Sequence, residues 1–198
     1  MSHPDRPSAG ARPPGKRLDG LMTSTATTPP ATRSLVLLRH GKSAYPPGVS
    51  DHDRPLAPRG SREAALAGAW IGANLPAVEH IVCSTALRAR QTLDASGLAT
   101  GAVATEFTSA IYEAYPEELL EIVAALRASF STVLLVGHAP GIPELAEELA
   151  GPDSDRAALN ALEAKFPTSA IAVFTVGGDW AALAEGSATL AQFVVPRA

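Results

Sequence analysis

Three short polar stretches in this 198-residue chain carry groups suited to phosphoryl chemistry. The first is Leu38-Arg39-His40-Gly41-Lys42. The second is Ser84-Thr85, followed within a turn by Arg88. The third is Gly137-His138-Ala139-Pro140-Gly141. An imidazole nitrogen can attack phosphorus and split one displacement into two through a covalent intermediate. A guanidinium offers a planar fork of donors to phosphate oxygens and stays charged at any working pH. A second histidine can hydrogen-bond a transferring oxygen, and N–H groups at the starts of helices add anion sites. A lone histidine at a strand end is equally at home in an ordinary loop, so the reading rests on the three stretches converging.

Convergence depends on the elements that carry them. Leu35–Leu38 and Thr132–Val136 are continuous apolar runs of the kind buried on both faces of a parallel sheet. Ile81–Cys83 is a shorter one. Helical patterns alternate with these runs: Ser61–Ala73, 86–96, Pro116–Ser129 and Ile142–Ala150, with Val103–Phe107 as a further strand. Ser84 or Thr85 is expected to cap the second helix. Residues 151–167 are expected as loop plus a short helix. Strands at Ala170–Val176 and Ala188–Val195 close the chain, the last antiparallel to the one before. The order argues for an α/β fold: a three-layer α/β/α sandwich with a mostly parallel sheet and a C-terminal antiparallel strand. In such sheets ligands bind beyond the carboxyl ends of the strands, where all three polar stretches would lie.

The segment 41–59 holds Pro46, Pro47, Pro55 and Pro58 and the charged cluster Asp51-His52-Asp53-Arg54. A loop of this length in a compact domain is functional or disordered. Residues 1–33, poor in large apolar side chains, read as a disordered N-terminal tail, with 34–198 as the folded domain. Met22, inside that tail, is a second candidate start of translation.

The net charge is -4, with five Lys/Arg against two Asp/Glu in residues 1–33, so the remainder carries -7. That balance offers no general attraction to nucleic acid. No apolar run is long enough to span a bilayer, and no apolar core follows the N-terminal charges, so a cytoplasmic location without membrane contact is expected. The one cysteine, Cys83, falls within a strand and is expected to be core rather than nucleophile. Metal ligation by His40 and His138 is disfavoured: a catalytic zinc takes three protein ligands, and adjacent Arg39 and Arg88 would repel a cation. The segment at Gly137 lacks the GK[ST] ending of a nucleotide-binding loop. No cofactor is implied.

With the charged loop, the helix start Cys83-Ser84-Thr85-Ala86-Leu87-Arg88-Ala89-Arg90-Gln91-Thr92 and Ile111-Tyr112-Glu113-Ala114, these motifs form an ordered set. Over residues 34–195 it resembles the histidine phosphatase superfamily, with its phosphoglycerate-mutase-like fold, and particularly the small SixA-like phosphohistidine phosphatases. The resemblance implies a metal-independent phosphatase with His40 as the phosphorylated nucleophile, and Arg39, Arg88 and His138 completing a phosphate pocket. Glu113 falls where the wider family carries its general acid; a plain N-terminal charge near the Pro116 helix is the alternative. Arg54 either reaches the phosphate or pairs with Asp51 or Asp53. Arg90 is two positions from Arg88 and cannot share its helix face, so it reads as structural or rim. Lys42 reads as a solvated charge at the pocket mouth. Ala57 stands where related sequences carry Thr, and Ser61 is the replacement candidate for that helix cap. The segment from Cys83 to Thr132 has no room for a large inserted lid, which favours a protein phosphohistidine as substrate. A small phosphomonoester, or phosphate-ligand binding without catalysis, are the alternatives. The oligomeric state is not written in the sequence.

Overall fold

The computed structural model describes Met1 and residues 32–101 and 103–197. Most of the expected tail, including Met22, lies outside the described residues. Its last two residues, Thr32 and Arg33, instead open the first strand. The elements in chain order are β1 (Thr32–Arg39), α1 (Pro58–Asn74), β2 (His80–Ser84), α2 (Leu87–Ser96), β3 (Ala104–Thr108), α3 (Pro116–Ala124), β4 (Thr132–Gly137), α4 (Gly141–Leu149), α5 (Arg156–Ala164), β5 (Ile171–Gly177) and β6 (Ala188–Val194).

The strands form one six-stranded sheet in the order β3-β2-β4-β1-β5-β6. β3, β2, β4 and β1 run parallel. β5 is antiparallel to β1, and β6 is antiparallel to β5. The expected antiparallel pairing at the C-terminus is present, and the reversed strand is β5.

The apolar runs explain the layering. Leu35–Leu38 and Val133–Val136 are fully buried because helices cover both faces. Leu35, Leu37, Val133 and Leu135 pack with Leu119, Val123, Ile142, Leu145 and Leu162 of α3, α4 and α5. Val36, Leu38, Leu134 and Val136 pack on the other side with Ala67, Ile71, Ala89 and Leu93 of α1 and α2. Each such side chain contributes roughly 1.5–3 kcal/mol by leaving water. Cys83 lies in the second cluster, and burial pushes its thiol pKa up to about 12, which makes it inert as a nucleophile.

Several boundaries differ from expectation for local reasons. α1 starts at Pro58, whose fixed φ suits a first helical position, and Ala57 precedes it without any side-chain cap, so Ser61 is not the replacement. α2 is preceded by Ala86, not capped by Ser84 or Thr85. α3 stops at Ala124 rather than near Ser129. Beyond it, the Ala128 carbonyl accepts from Arg33, and Phe130 stacks on His80 with ring centroids 4.6 Å apart, contacts that a continued helix would not offer.

The loop after β1 is tied into a compact form. Ser43 pairs with Leu56, and the Ala57 N–H donates to the Lys42 carbonyl at 2.8 Å. The start of α1 presses against this loop. A Cβ on Gly60 would collide with the Lys42 carbonyl, and one on Gly41 would lie 2.8 Å from the Gly60 oxygen. Only glycine permits that approach at either position. Among the described residues no helix is long and apolar enough to cross a membrane.

Candidate active site

The parallel register delivers the three polar stretches to one sheet edge. Arg39 lies opposite Gly137, and Cys83 opposite Val136, so the residues that follow each strand emerge together. They line a cavity of about 340 Å³ that holds Arg39, His40, Arg54, Arg88, Glu113 and His138, with Lys42 also on its wall. All six residues singled out from the sequence therefore meet at one place. Arg90 does not line it; its guanidinium lies 5.4 Å from the centre of the Phe107 ring.

His40 is 8% exposed. Its Nδ1 is 2.7 Å from the Gly41 carbonyl oxygen, an acceptor only, so Nδ1 carries the proton. The lone pair is then on Nε2, and Arg88 Nε–H donates toward it at 3.3 Å. The loop itself is held by Thr92, whose Oγ1 accepts from Gly41 N–H at 2.9 Å and donates to the Arg88 carbonyl at 2.6 Å. Burial lowers the His40 pKa to about 4. The Gly41 hydrogen bond opposes this, and the charges of Arg88, Arg39 and Arg54 add to it.

His138 lies beside it, ring centroids 4.9 Å apart. Its Nε2 is 2.8 Å from Ser84 Oγ, and its Nδ1 is buried with no partner. Burial, then His40 and Arg88, lower its pKa to about 3. Both imidazoles are thus neutral at pH 7. Their folded pKa values lie below the ordinary 6.5, so the stability they confer is full above pH 6.5 and is lost as pH falls toward 4 and 3. For His40 this amounts to about 3 kcal/mol. Acid-induced unfolding followed by circular dichroism should show the decline starting below pH 6.5, and His40→Ala should flatten part of it.

The arginines are held from behind. Arg39 donates to the Phe166 carbonyl at 2.6 Å, while its Nε is buried and unpartnered. Burial lowers its pKa, yet a guanidinium remains charged. Arg88 is anchored by Asp51, through Nη2 to Oδ2 at 2.9 Å and through Nη1 to the main-chain oxygen. The same carboxylate pairs with Arg54 at 2.5 Å and accepts from the Tyr112 hydroxyl at 2.7 Å. The Tyr112 hydrogen bond, with Arg54 and Arg88, holds the Asp51 pKa near 2. Of the two partners expected for Arg54, Asp51 is the one found; Asp53 instead accepts from Ser50. Arg54 also donates to Ser43 and stacks 3.4 Å over the Tyr45 ring, which fixes its guanidinium on the cavity wall.

Glu113 stands at the mouth. It is exposed and adopts φ 57, a left-handed conformation unusual outside glycine. It stands two residues before Tyr115, the residue that precedes α3.

The sequence does not assign the contacts made by Asp51, which lines the cavity, or by Ser84 and Thr92. In the sequence Asp51 stands in a charged cluster as a possible partner of Arg54, and Ser84 stands at a polar strand end as a candidate helix cap. Among the described residues, no three His, Cys, Asp or Glu side chains are grouped to hold a metal ion. What the arrangement offers is an anion cradle with an unprotonated nitrogen at its base.

The family model described as histidine phosphatase superfamily (branch 1) matches residues 35–178. A protein of Mycobacterium tuberculosis, described as uncharacterised, is 48% identical over 161 residues, 81% of this chain and all of the relative. A solved structure from Nakamurella multipartitia, titled as a proposed phosphohistidine phosphatase SixA, is 41% identical with a TM-score of 0.78, covering 86% of this chain and 100% of that one. The protein histidine phosphatase SixA complexed with tungstate is 26% identical with a TM-score of 0.66, covering 82% and 97%. The family match spans Arg39, His40, Arg88 and His138, four of the side chains that line the cavity, and the chain belongs to the histidine phosphatase superfamily.

Proposed function

We propose that the protein is a phosphatase that acts through a phosphohistidine intermediate on His40, with the phosphohistidine of a protein as its substrate. One observation carries the reading. His40 Nε2, unprotonated because Nδ1 is committed to Gly41, lies in a cavity whose walls carry Arg39, Arg54 and Arg88. In the first step the Nε2 lone pair forms an N–P bond as the bond from phosphorus to the leaving group breaks. The electron pair departs with the leaving group. The arginines neutralise the equatorial oxygens as charge spreads over them. In the second step water attacks phosphorus, the N–P bond breaks, and Nε2 regains its pair. Inorganic phosphate and one proton are released.

The likeness to the two SixA structures supports phosphohistidine as the substrate. Its imidazole, when protonated, leaves as a neutral ring and needs no acid. A small phosphomonoester is the second reading, favoured by Glu113 at the mouth, where a carboxyl can protonate a departing alkoxide.

The test is kcat/KM measured in EDTA on a phosphohistidine-bearing protein and on a panel of phosphomonoesters, with acid quenching to trap phosphoenzyme. A preference above tenfold for phosphohistidine, about 1.4 kcal/mol, is the expected result. The reverse preference assigns the phosphomonoester reading. Absence of both turnover and phosphoenzyme on every substrate would leave a phosphate-binding module, and strict dependence on an added divalent metal would sink the mechanism.

A further inference from the structure

We propose that Ser84 is a positioning residue that fixes His138 in the Nδ1–H tautomer, so that His138 presents a hydrogen-bond donor to an oxyanion bound in the cavity. The inference rests on the phosphate-pocket reading above.

Ser84 is fully buried at the end of β2. Its Oγ accepts from the Ala86 N–H at 3.3 Å, a donor whose direction cannot reverse. That leaves the hydroxyl hydrogen in need of an acceptor. His138 Nε2 lies 2.8 Å away. A buried hydroxyl that fails to donate forfeits its lost hydration, so the satisfied arrangement is Ser84 O–H donating to Nε2. With Nε2 as acceptor, the single proton of a neutral imidazole sits on Nδ1. The ring is neutral over the working range because burial, His40 and Arg88 all oppose protonation. Nδ1–H is then a buried donor with no acceptor in the protein, on a residue that lines the cavity. A phosphate oxygen supplies the acceptor it lacks.

The opposite tautomer fails on two counts. Nε2–H would make Ser84 Oγ receive two donors while its own hydrogen had none to meet. It would also turn a bare nitrogen lone pair toward an anion. Ser84 is thus to His138 what the Gly41 carbonyl is to His40. Each sets which ring nitrogen holds the proton, with opposite results: a free lone pair at His40 Nε2 and a free N–H at His138 Nδ1.

The test is imidazole ¹⁵N NMR on the full chain with ¹⁵N-labelled histidine above pH 7, with His138→Gln used to assign the His138 signals. The expected wild-type spectrum shows His138 protonated on Nδ1, and inorganic phosphate perturbs that nitrogen. Ser84→Ala is expected to lose the single tautomer and weaken phosphate binding at least tenfold. Ser84→Thr, which keeps the hydroxyl, retains the tautomer and binding within threefold. A wild-type His138 protonated on Nε2, or an unchanged tautomer in Ser84→Ala, overturns the proposal. The wild-type spectrum decides even if Ser84→Ala fails to fold. The failures are separable: a correct tautomer without turnover counts against the phosphatase, whereas an Nε2–H tautomer with full turnover counts against Ser84 alone.

Discussion

His40→Ala is expected to remove turnover and acid-labile protein-bound phosphate together. Loss of a nucleophile costs on the order of 10⁴–10⁶ in kcat where mutation series have measured it, and no neighbour can replace it here. The other cavity imidazole, His138, has its Nε2 held by Ser84 and its ring tilted 52° from that of His40. The variant should fold. It removes a side chain whose burial opposes protonation, so its stability should fall less steeply with acid than that of the parent. Rapid-quench trapping with thermal unfolding as control checks both points. Turnover above 1% of the parent would place the nucleophile elsewhere.

Arg88→Lys is the second large effect, expected at 10²–10³ in kcat/KM, the scale of one lost preorganised donor to developing charge. The substitution keeps a positive charge and discards the fork. Arg88 uses Nε toward His40 and both Nη groups toward Asp51, a geometry that an ammonium on a flexible stem cannot reproduce. The two possible contributions can be separated by pH. Arg88→Lys should leave the acid limb of kcat/KM near its parental position, since the cation that helps depress His40 persists. Arg88→Ala should move that limb upward, because Arg88 is among the charges that lower the His40 pKa. An Arg88→Lys variant within threefold of the parent would show that the fork is dispensable.

Arg39, His40, Arg88 and His138 were legible because each sits at, or within a turn of, the end of an apolar run. Parallel strands convert those ends into a shared place. What stayed hidden was the support. Asp51 lies in a loop with no periodicity, and nothing in Asp51-His52-Asp53-Arg54 distinguishes the carboxylate that reaches Arg88 from the one that bonds Ser50. Ser84 carries a strong local meaning as a helix cap. It does accept the Ala86 N–H, but its remaining hydrogen bond is to a residue 54 positions away. The reversal of β5 was equally silent. A strand buried on both faces reads the same in either direction, and Ile171–Phe174 is such a run. The end of α3 was misplaced because helical spacing continues past Ala124, while tertiary contacts of Ala128 and Phe130 draw the chain away.

Because β5 enters the sheet from the same edge at which β1 and β4 leave it, the backbone at Arg39 and His40 is gripped from both sides. His40 N–H donates to the Gly137 carbonyl, Arg39 N–H donates to the Ala170 carbonyl, and the Ser169 N–H donates back to the Arg39 and His40 oxygens. These partners follow His40 by ~100 residues or more, and contacts of such long sequence separation form slowly. A nascent chain therefore presents Arg39 and His40 long before these backbone partners exist to hold them. Catalytic competence should emerge late in synthesis, as one cooperative event with closure of the sheet.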